Sequence, residues 1–285
     1  MSSTLAQAVS LAIALGLERL DAQWLLLHAM GKPNSARAWL LAHDTDLLTA
    51  DEQQRFEQLT RRRAAGEPLA YITGHKEFFG LDLEVDARVL VPRPDTETLV
   101  EWALEVLSDL APESPIDSDS DNGDVLDLGT GSGAVALALK HARPELRIHA
   151  VDASADALQV AQANAQRLQF SVKFMQGSWL TGVSGRYRVI VSNPPYIAAL
   201  DPHLPALAHE PVQALVSGKE GLDDIRHIVK QAGAHLHPGG WLLLEHGYDQ
   251  SGAVRDLLLD AGFEDVQSRR DLSGIERCSG GRAPH

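Results

Sequence analysis

DLGTGSGA, residues 127–134, is the stretch that decides the fold. It closes the short strand candidate at 125–128 and opens a helical window at 132–141. Glycines at 129, 131 and 133 let the backbone adopt positive φ and approach a ligand closely. The helix N-terminus beyond them should present N–H groups with no intrahelical partner. A strand, a glycine turn and a helix in that order form the first half of a βαβ unit.

The pattern continues on the C-terminal side. Apolar runs at 148–151, 172–175, 189–191 and 241–245 alternate with helical windows at 154–168, 222–236 and 251–261, and a last strand pair fits 265–270 and the tail. Strands alternating with helices of this length predict an α/β fold with a mostly parallel sheet. On the N-terminal side the texture differs. From Thr4 to about Ala65 the spacing is helical, with Leu5, Val9, Ala12 and Ile13 on one stripe and Leu20, Trp24, Leu27 and Met30 on the next. A third helix fits 35–43, and a fourth starts at Thr49 and ends in Arg61, Arg62 and Arg63, where cations favour the helix dipole. Between 71 and 91 the period switches to two: Phe79, Leu81, Leu83 and Val85 alternate with polar residues, with Gly74 and Gly80 marking a β hairpin. Pro92 and Pro94 precede a further helix that reaches Leu110, and residues 111–123 (APESPIDSDSDNG) form an acidic low-complexity run with the texture of a surface loop. The expected domains are therefore 1–70, a hairpin connector 71–91, and a larger α/β domain 92–285.

Composition narrows the class. The 285 residues carry 25 Lys and Arg against 39 Asp and Glu, a net charge of −14, which disfavours a general nucleic-acid binder. One cysteine, Cys278, excludes an intrachain disulfide framework and a Cys-based zinc cluster. The twelve histidines, His203 and His209 among them, show no metal spacing, so no metal is expected. The apolar stretch 5–17 is interrupted by Gln7, Ser10 and Gly16, and the first basic residue is Arg19, so neither a membrane span nor a secretory signal is expected. A cytoplasmic, monomeric protein is the expectation.

Asp152 follows the 148–151 strand, where a carboxylate can accept the hydroxyls of a ribose. Gly129, Gly131 and Ala134 also satisfy the loose G-x-G-x-x-G/A fingerprint, which leaves nicotinamide dinucleotides and S-adenosylmethionine in competition. The motif Asn193-Pro194-Pro195-Tyr196 separates them. It stands directly after the 189–191 strand, at the end where open α/β sheets place ligands. Two prolines fix φ and remove two donors, so the Asn193 side-chain oxygen and the Pro194 carbonyl can face inward as acceptors. That pair suits a planar amide or amino NH2, and Tyr196 adds a π face for the substrate plane or a developing cation.

Taken together, the 127–133 loop, Asp152 and the NPPY motif resemble the class I S-adenosylmethionine-dependent methyltransferases that act on amide or exocyclic amino nitrogens. Residues 74–97 (GHKEFFGLDLEVDARVLVPRPDTE) are similar to the segment before the catalytic domain in the protein N5-glutamine methyltransferases of the HemK/PrmC kind. The resemblance implies a class I methyltransferase domain, a Rossmann-like and mostly parallel sheet, joined by a β hairpin to a small helical N-terminal domain that reads the substrate. It implies S-adenosylmethionine as cofactor, with S-adenosylhomocysteine as product, and the glutamine of the Gly-Gly-Gln motif of peptide chain release factors as substrate. It carries cofactor contact to Gly129, Thr130, Gly131, Ser132, Gly133, Asp152, Trp179 and Asn193, and substrate binding to Asn193, Pro194, Pro195 and Tyr196. Asn193, Pro194 and Tyr196 are the expected catalytic residues, and Ser178 stands where many relatives carry an acid. Glu210-Pro211 and residues 271–277 (DLSGIER) also resemble family segments without an assigned role, and Glu245-His246-Gly247, at a strand end, is placed either to contact substrate or cofactor or to serve a structural role. Alternatives are a ribosomal-protein glutamine, an adenine amino group in nucleic acid, or cofactor binding without catalysis as a partner adaptor. Residues 91–285 hold 16 basic and 27 acidic side chains, 16 − 27 = −11, which argues against the nucleic-acid alternative.

Overall fold

The structure, a computed structural model, describes residues 3–109 and 123–285. The acidic run at 111–122 lies outside the described residues. The chain divides into two compact units, Met1–His75 and Lys76–His285.

The first unit is helical: α1 (Leu5–Ala14), α2 (Arg19–Ala29), α3 (Arg37–Ala42), α4 (Ala50–Ala64) and α5 (Leu69–Thr73). Thr4 and Thr49 begin α1 and α4 with capping boxes, each hydroxyl accepting an N–H three residues on while Gln7 or Glu52 reaches back. The stripe expected on α2 is only partly the buried one. Ala22, Leu25, Leu26 and Leu27 are fully buried while Leu20, Trp24 and Met30 are half-exposed. The reason is that α2 is central, contacting α1, α3, α4 and α5, so it is covered on more than one side. The arginines that close α4 are ion-paired within the unit: Arg63 to Asp21 at 2.7 Å, Arg62 to Glu67, and Arg61 to Glu57 at 3.5 Å. Tyr71 to Thr73, read in the sequence as the start of the hairpin, are helical, and Gly74 with φ 78° ends α5.

The hairpin pairs β1 (His75–Phe78) with β2 (Leu81–Glu84). Phe79, expected on the strand, sits in its turn at φ 50°, its N–H donating to Glu97 at 3.0 Å. Beyond it run α6 (Glu97–Asp109), β3 (Gly123–Leu128), α7 (Ala134–Ala142), β4 (Ile148–Asp152), α8 (Ala155–Leu168), β5 (Lys173–Gln176), β6 (Tyr187–Ser192), α9 (Asp223–Ala232), β7 (Leu236–Glu245), α10 (Ser251–Asp260), β8 (Glu264–Arg270) and β9 (Glu276–Arg282). The sheet order is β5-β4-β3-β6-β7-β9-β8; all pairs are parallel up to β7, and β9 is antiparallel to both β7 and β8. Strand β7 starts earlier than its apolar run. Gly239 takes φ 75°, and a Cβ on Gly240 would stand 2.8 Å from the Arg188 carbonyl, so an irregular stretch pairs where a side chain would not fit.

Both faces of the sheet are covered, as a parallel sheet requires. Val125, Val189, Val191 and Leu243 pack with α6 and α7, while Leu126, Leu128, Ile190 and Leu244 pack with α9 and α10. The order reverses between β3 and β6, whose C-terminal ends lie side by side with Leu128 registered to Ser192. That switch point is where open α/β sheets bind ligands.

Candidate active site

The loop after β3 takes the conformation its glycines predict, with φ 72°, 56° and 84° at Gly129, Gly131 and Gly133. Its N–H groups, however, are used inside the protein. Gly129 and Thr130 donate to the Val151 carbonyl at 2.8 and 3.0 Å, Gly133 to Thr130 at 2.8 Å, and Gly131 to Asp152 Oδ2 at 2.8 Å. Asp127 accepts the Thr130 hydroxyl at 2.7 Å and the Ala136 N–H at 3.3 Å. The loop N–H groups of Gly129, Thr130, Gly131 and Gly133 are thus engaged within the protein, as is the Ala136 N–H of the first helical turn, and the loop's own contribution is close backbone approach. Asp127 is fully enclosed, and burial pushes its carboxyl up to about 7, against the pull of those two hydrogen bonds.

Gly129, Thr130, Gly131, Ser132, Asp152, Trp179 and Asn193 line one cavity of about 320 Å³. Gly133 does not line it; a Cβ there would meet Leu137 Cδ1 at 3.0 Å and Ala161 Cβ at 3.3 Å, behind the loop. Asp152 accepts from Gly131 and, through Oδ1, from the Ser154 N–H at 2.9 Å, and burial raises its carboxyl above the ordinary range. A carboxylate holds about four acceptor positions, so acceptor capacity remains beyond the backbone N–H groups it already takes. Trp179 follows β5 at φ 52°, a conformation that costs a non-glycine residue about 1–3 kcal/mol and marks a position held for its side chain. Its indole N–H donates to Asp224 Oδ1 at 3.1 Å, and the ring edge faces Gly129. Asp224 therefore supplies a carboxylate at the wall beside Ser178, in the same cavity. A glycine floor, an aromatic wall and a ribose-competent carboxylate together fit a nucleoside with a short charged tail.

Asn193 leaves β6 beside Ser192, whose hydroxyl donates to the Leu128 carbonyl at 2.7 Å and ties the two strand ends. Asn193 Nδ2 donates to Thr96 Oγ1 at 3.2 Å, which turns Oδ1 away from that contact. Tyr196 donates its O–H to Glu245 Oε1 at 3.3 Å, and its carbonyl accepts from Gln250 Nε2 at 3.0 Å. Gly221 must be glycine for this to happen, since a Cβ would stand 2.1 Å from the Tyr196 oxygen. Burial, with Glu245 next to it, holds the Tyr196 phenol well above its ordinary range, so it is a neutral donor. A second cavity of about 160 Å³ is bounded by Arg93, Asn193, Pro194, Tyr196, Ile197 and Leu215, and both cavities reach Asn193 and Arg93.

Sequence reasoning gave no role to the residues that brace this site. Glu210, buried in the loop after β6, accepts the Val91 N–H at 3.1 Å and pairs with Arg93. Arg277 bridges Asp271 at 3.3 Å and Asp95 at 3.5 Å, which gives the 271–277 segment its place against the turn before α6. The only hint was similarity of those segments to family segments, because each partner lies far along the chain. Among the described residues no group of three His, Cys, Asp or Glu side chains is placed to hold a metal, and His203 pairs with Asp201 on the surface.

Comparison with known proteins agrees with this geometry. A family model described as "Methyltransferase small domain" matches residues 110–268, and one described as "PrmC N-terminal domain" matches residues 4–74. The release factor glutamine methyltransferase of Burkholderia pseudomallei is 46% identical over 98% of this chain and 97% of its own length. That of Escherichia coli is 43% identical over the same shares of each chain. Among solved structures, a methyltransferase from Pyrococcus furiosus superposes with TM-score 0.52 at 19% identity, covering 80% of this chain and 100% of that one. The hMettl16 catalytic domain superposes with TM-score 0.55 at 15% identity, covering 83% and 84%. These two share the class I methyltransferase fold. With similarity of this depth running through both units, the chain belongs to the release factor glutamine methyltransferases.

Proposed function

We propose that this chain methylates the side-chain amide nitrogen (N5) of the glutamine in the Gly-Gly-Gln motif of peptide chain release factors. S-adenosylmethionine is the methyl donor, and when bound it supplies an electrophilic methyl on a sulfonium. The observation that carries the reading is the meeting of two cavities at Asn193, the larger suited to a nucleoside and the smaller walled by Pro194 and Tyr196.

In this reading Asp152 accepts the ribose hydroxyls, Trp179 walls the purine, and Gly129 to Ser132 form the floor. Asn193 Oδ1 and the Pro194 carbonyl accept the two N–H bonds of the acceptor amide. Both hydrogens being held, the nitrogen faces the larger cavity, and its lone pair is drawn out of conjugation. Pro195 lines the cofactor side and Tyr196 the acceptor side. Amide nitrogen is a poor nucleophile, so positioning and electrostatics carry the rate: holding two reactants in line recovers about 7–11 kcal/mol of the barrier in favourable cases. No strong base is needed, because the methylated nitrogen is acidic enough to release its extra proton to water.

Several features support a protein acceptor over nucleic acid: the net charge of −14, the family membership and the match of residues 4–74 to the PrmC N-terminal domain. The helical N-terminal unit is read as the part that recognises the release factor. The reading includes a monomer working in the cytoplasm; among the described residues no helix is long and apolar enough to cross a membrane. The test is incubation with labelled S-adenosylmethionine and release factor, its Gln-to-Ala variant, or DNA. Label is expected on the wild-type factor alone, with digestion placing it on the motif glutamine; label on DNA with none on the factor would refute the proposal.

A further inference from the structure

Behind Asn193 and Tyr196 stands a carboxyl to which the steps above give no part. Glu245 ends β7 and is 1% exposed. Ser192 is registered to Leu244, so Asn193 and Glu245 leave adjacent strand ends together. Tyr196 donates to Oε1 at 3.3 Å, while Oε2 has no hydrogen-bond partner among the described residues. Thr96 Oγ1 accepts from Asn193 Nδ2 at 3.2 Å, and the same hydroxyl is close enough to Glu245 to favour its ionised form.

The direction of these bonds follows from donor chemistry. An amide nitrogen only donates, so Thr96 Oγ1 is the acceptor toward Asn193 and its own proton must go elsewhere. The Glu245 carboxyl is the acceptor at hand, and a buried oxygen without a partner is costly to leave unmet. We propose that Glu245 is a positioning residue for methyl transfer: its carboxylate draws the Thr96 proton, which keeps Thr96 an acceptor for Asn193 Nδ2 and holds Asn193 Oδ1 toward the acceptor amide. The inference rests on the proposed function. Its other oxygen restrains Tyr196, so one buried group orients both side chains of the acceptor site. The chain from Asn193 to a full negative charge also polarises the Asn193 oxygen, strengthening its hold on the acceptor N–H.

The ionised form is the working form, and its population depends on pH. Burial pushes Glu245 up to about 7, and Asp95 adds to the rise; the Thr96 and Tyr196 hydroxyls and Arg277 oppose it. Cys278 is the registered residue opposite on β9, and burial keeps its thiol neutral. His246, next on the chain, is held below its usual range by burial, and Arg93 acts on Tyr196 from the far side. Protonated Glu245 becomes a donor, lets Thr96 turn, and releases the Asn193 orientation. Turnover therefore rises with pH through neutrality.

The experiment uses the full chain, S-adenosylmethionine and release factor, with Glu245→Gln, Thr96→Val and Thr96→Ser. For Glu245→Gln, cofactor affinity is expected within about twofold of wild type and kcat down about 10–100-fold, the range for a hydrogen bond to a charged group. The acidic limb of its kcat profile near neutrality should vanish. Thr96→Val should fall alongside it, and Thr96→Ser, which keeps the hydroxyl, should recover most of the rate. A raised folded-state pKa means stability is lost as pH rises through it, so Glu245→Gln should be at least as stable as wild type at pH 8, about one unit above that value. Wild-type kcat with an unchanged pH profile in Glu245→Gln would overturn the proposal. So would parallel loss of cofactor binding and thermal stability, which would make the role structural. Failure of the proposed function is seen separately, as a wild-type chain that does not label release factor.

Discussion

Two glycines of the loop after β3, Gly129 and Gly133, should respond to the same substitution in different ways. Gly133 and Gly129 both have positive φ, 84° and 72°, so alanine at either position carries a left-handed penalty of about 1–2 kcal/mol. What the new methyl meets differs. At Gly133 it would press on Leu137 Cδ1 at 3.0 Å and Ala161 Cβ at 3.3 Å, both within packed helices, and overpacking of this kind costs about 1–3 kcal/mol more. Gly133→Ala is therefore expected to destabilise the chain by about 2–5 kcal/mol, a drop in Tm of about 4–20 °C for a unit of this size. The folded fraction should bind S-adenosylmethionine nearly as well as wild type. At Gly129 the methyl would stand 3.2 Å from Trp179 Cζ3, so the ring must move by a few tenths of an ångström. Gly129→Ala should then lose only the backbone penalty in stability, while cofactor affinity falls about tenfold, equivalent to about 1.4 kcal/mol of displaced contact. Differential scanning calorimetry and isothermal titration below both melting temperatures separate the two quantities. The reasoning is refuted if Gly133→Ala keeps wild-type stability and loses cofactor, because its Cβ would then face the ligand and not the helices.

Three further outcomes test the site. Asn193→Ala should keep S-adenosylmethionine affinity within a few-fold while losing turnover by at least about 10²-fold, the scale for removing one group that holds the reacting atoms; a rate near wild type would refute the amide clamp. Asp127, raised to about 7 from its ordinary 3.8, contributes stability present below about pH 4 and lost as pH rises through 7, so the stability of wild type relative to Asp127→Asn should decline across that window in pH-dependent urea melts. A flat difference would mean the carboxyl is not desolvated as the structure has it. Glu210→Gln weakens the pairing with Arg93 and the bond from the Val91 N–H, and should cost about 1–3 kcal/mol and raise KM for release factor more than that for cofactor. Equal changes in both constants would count against a role for Glu210 on the acceptor side.

Much of the sheet was legible because strands covered on both faces carry apolar residues without strict alternation: Val189–Val191 at the centre of β6 is such a run, while β4 is buried along Ile148–Val151 although His149 interrupts it. The glycine loop and the Asn193–Pro194–Pro195–Tyr196 turn were legible for another reason: their backbone constraints are local, and Gly and Pro state them directly. Phe79 shows the limit of periodicity. Its apolar side chain fits the alternating pattern, yet it occupies a turn because Gly80 and the Glu97 carboxylate hold the chain there. The α2 helix shows a second limit, since amphipathic spacing assumes one covered face and α2 has neighbours on several sides.

The sequence by itself determined the βαβ order, the positive-φ loop after β3, and the position of the Asn193–Tyr196 segment at the C-terminal end of β6. Those properties follow from short-range rules: backbone freedom at glycine, fixed φ at proline, and hydrophobic period. Only the tertiary structure decided which groups complete the site. Thr96 reaches Asn193 across 97 residues, Glu210 reaches Val91 across 119, and Tyr196 reaches Glu245 across 49. Such pairs depend on strand order and on crossover geometry, which place distant strand ends side by side. Gly133 makes the same point in reverse: the motif marks it with its neighbours, but the fold turns it toward Leu137 and Ala161, because a helix that starts there must pack before it can bind.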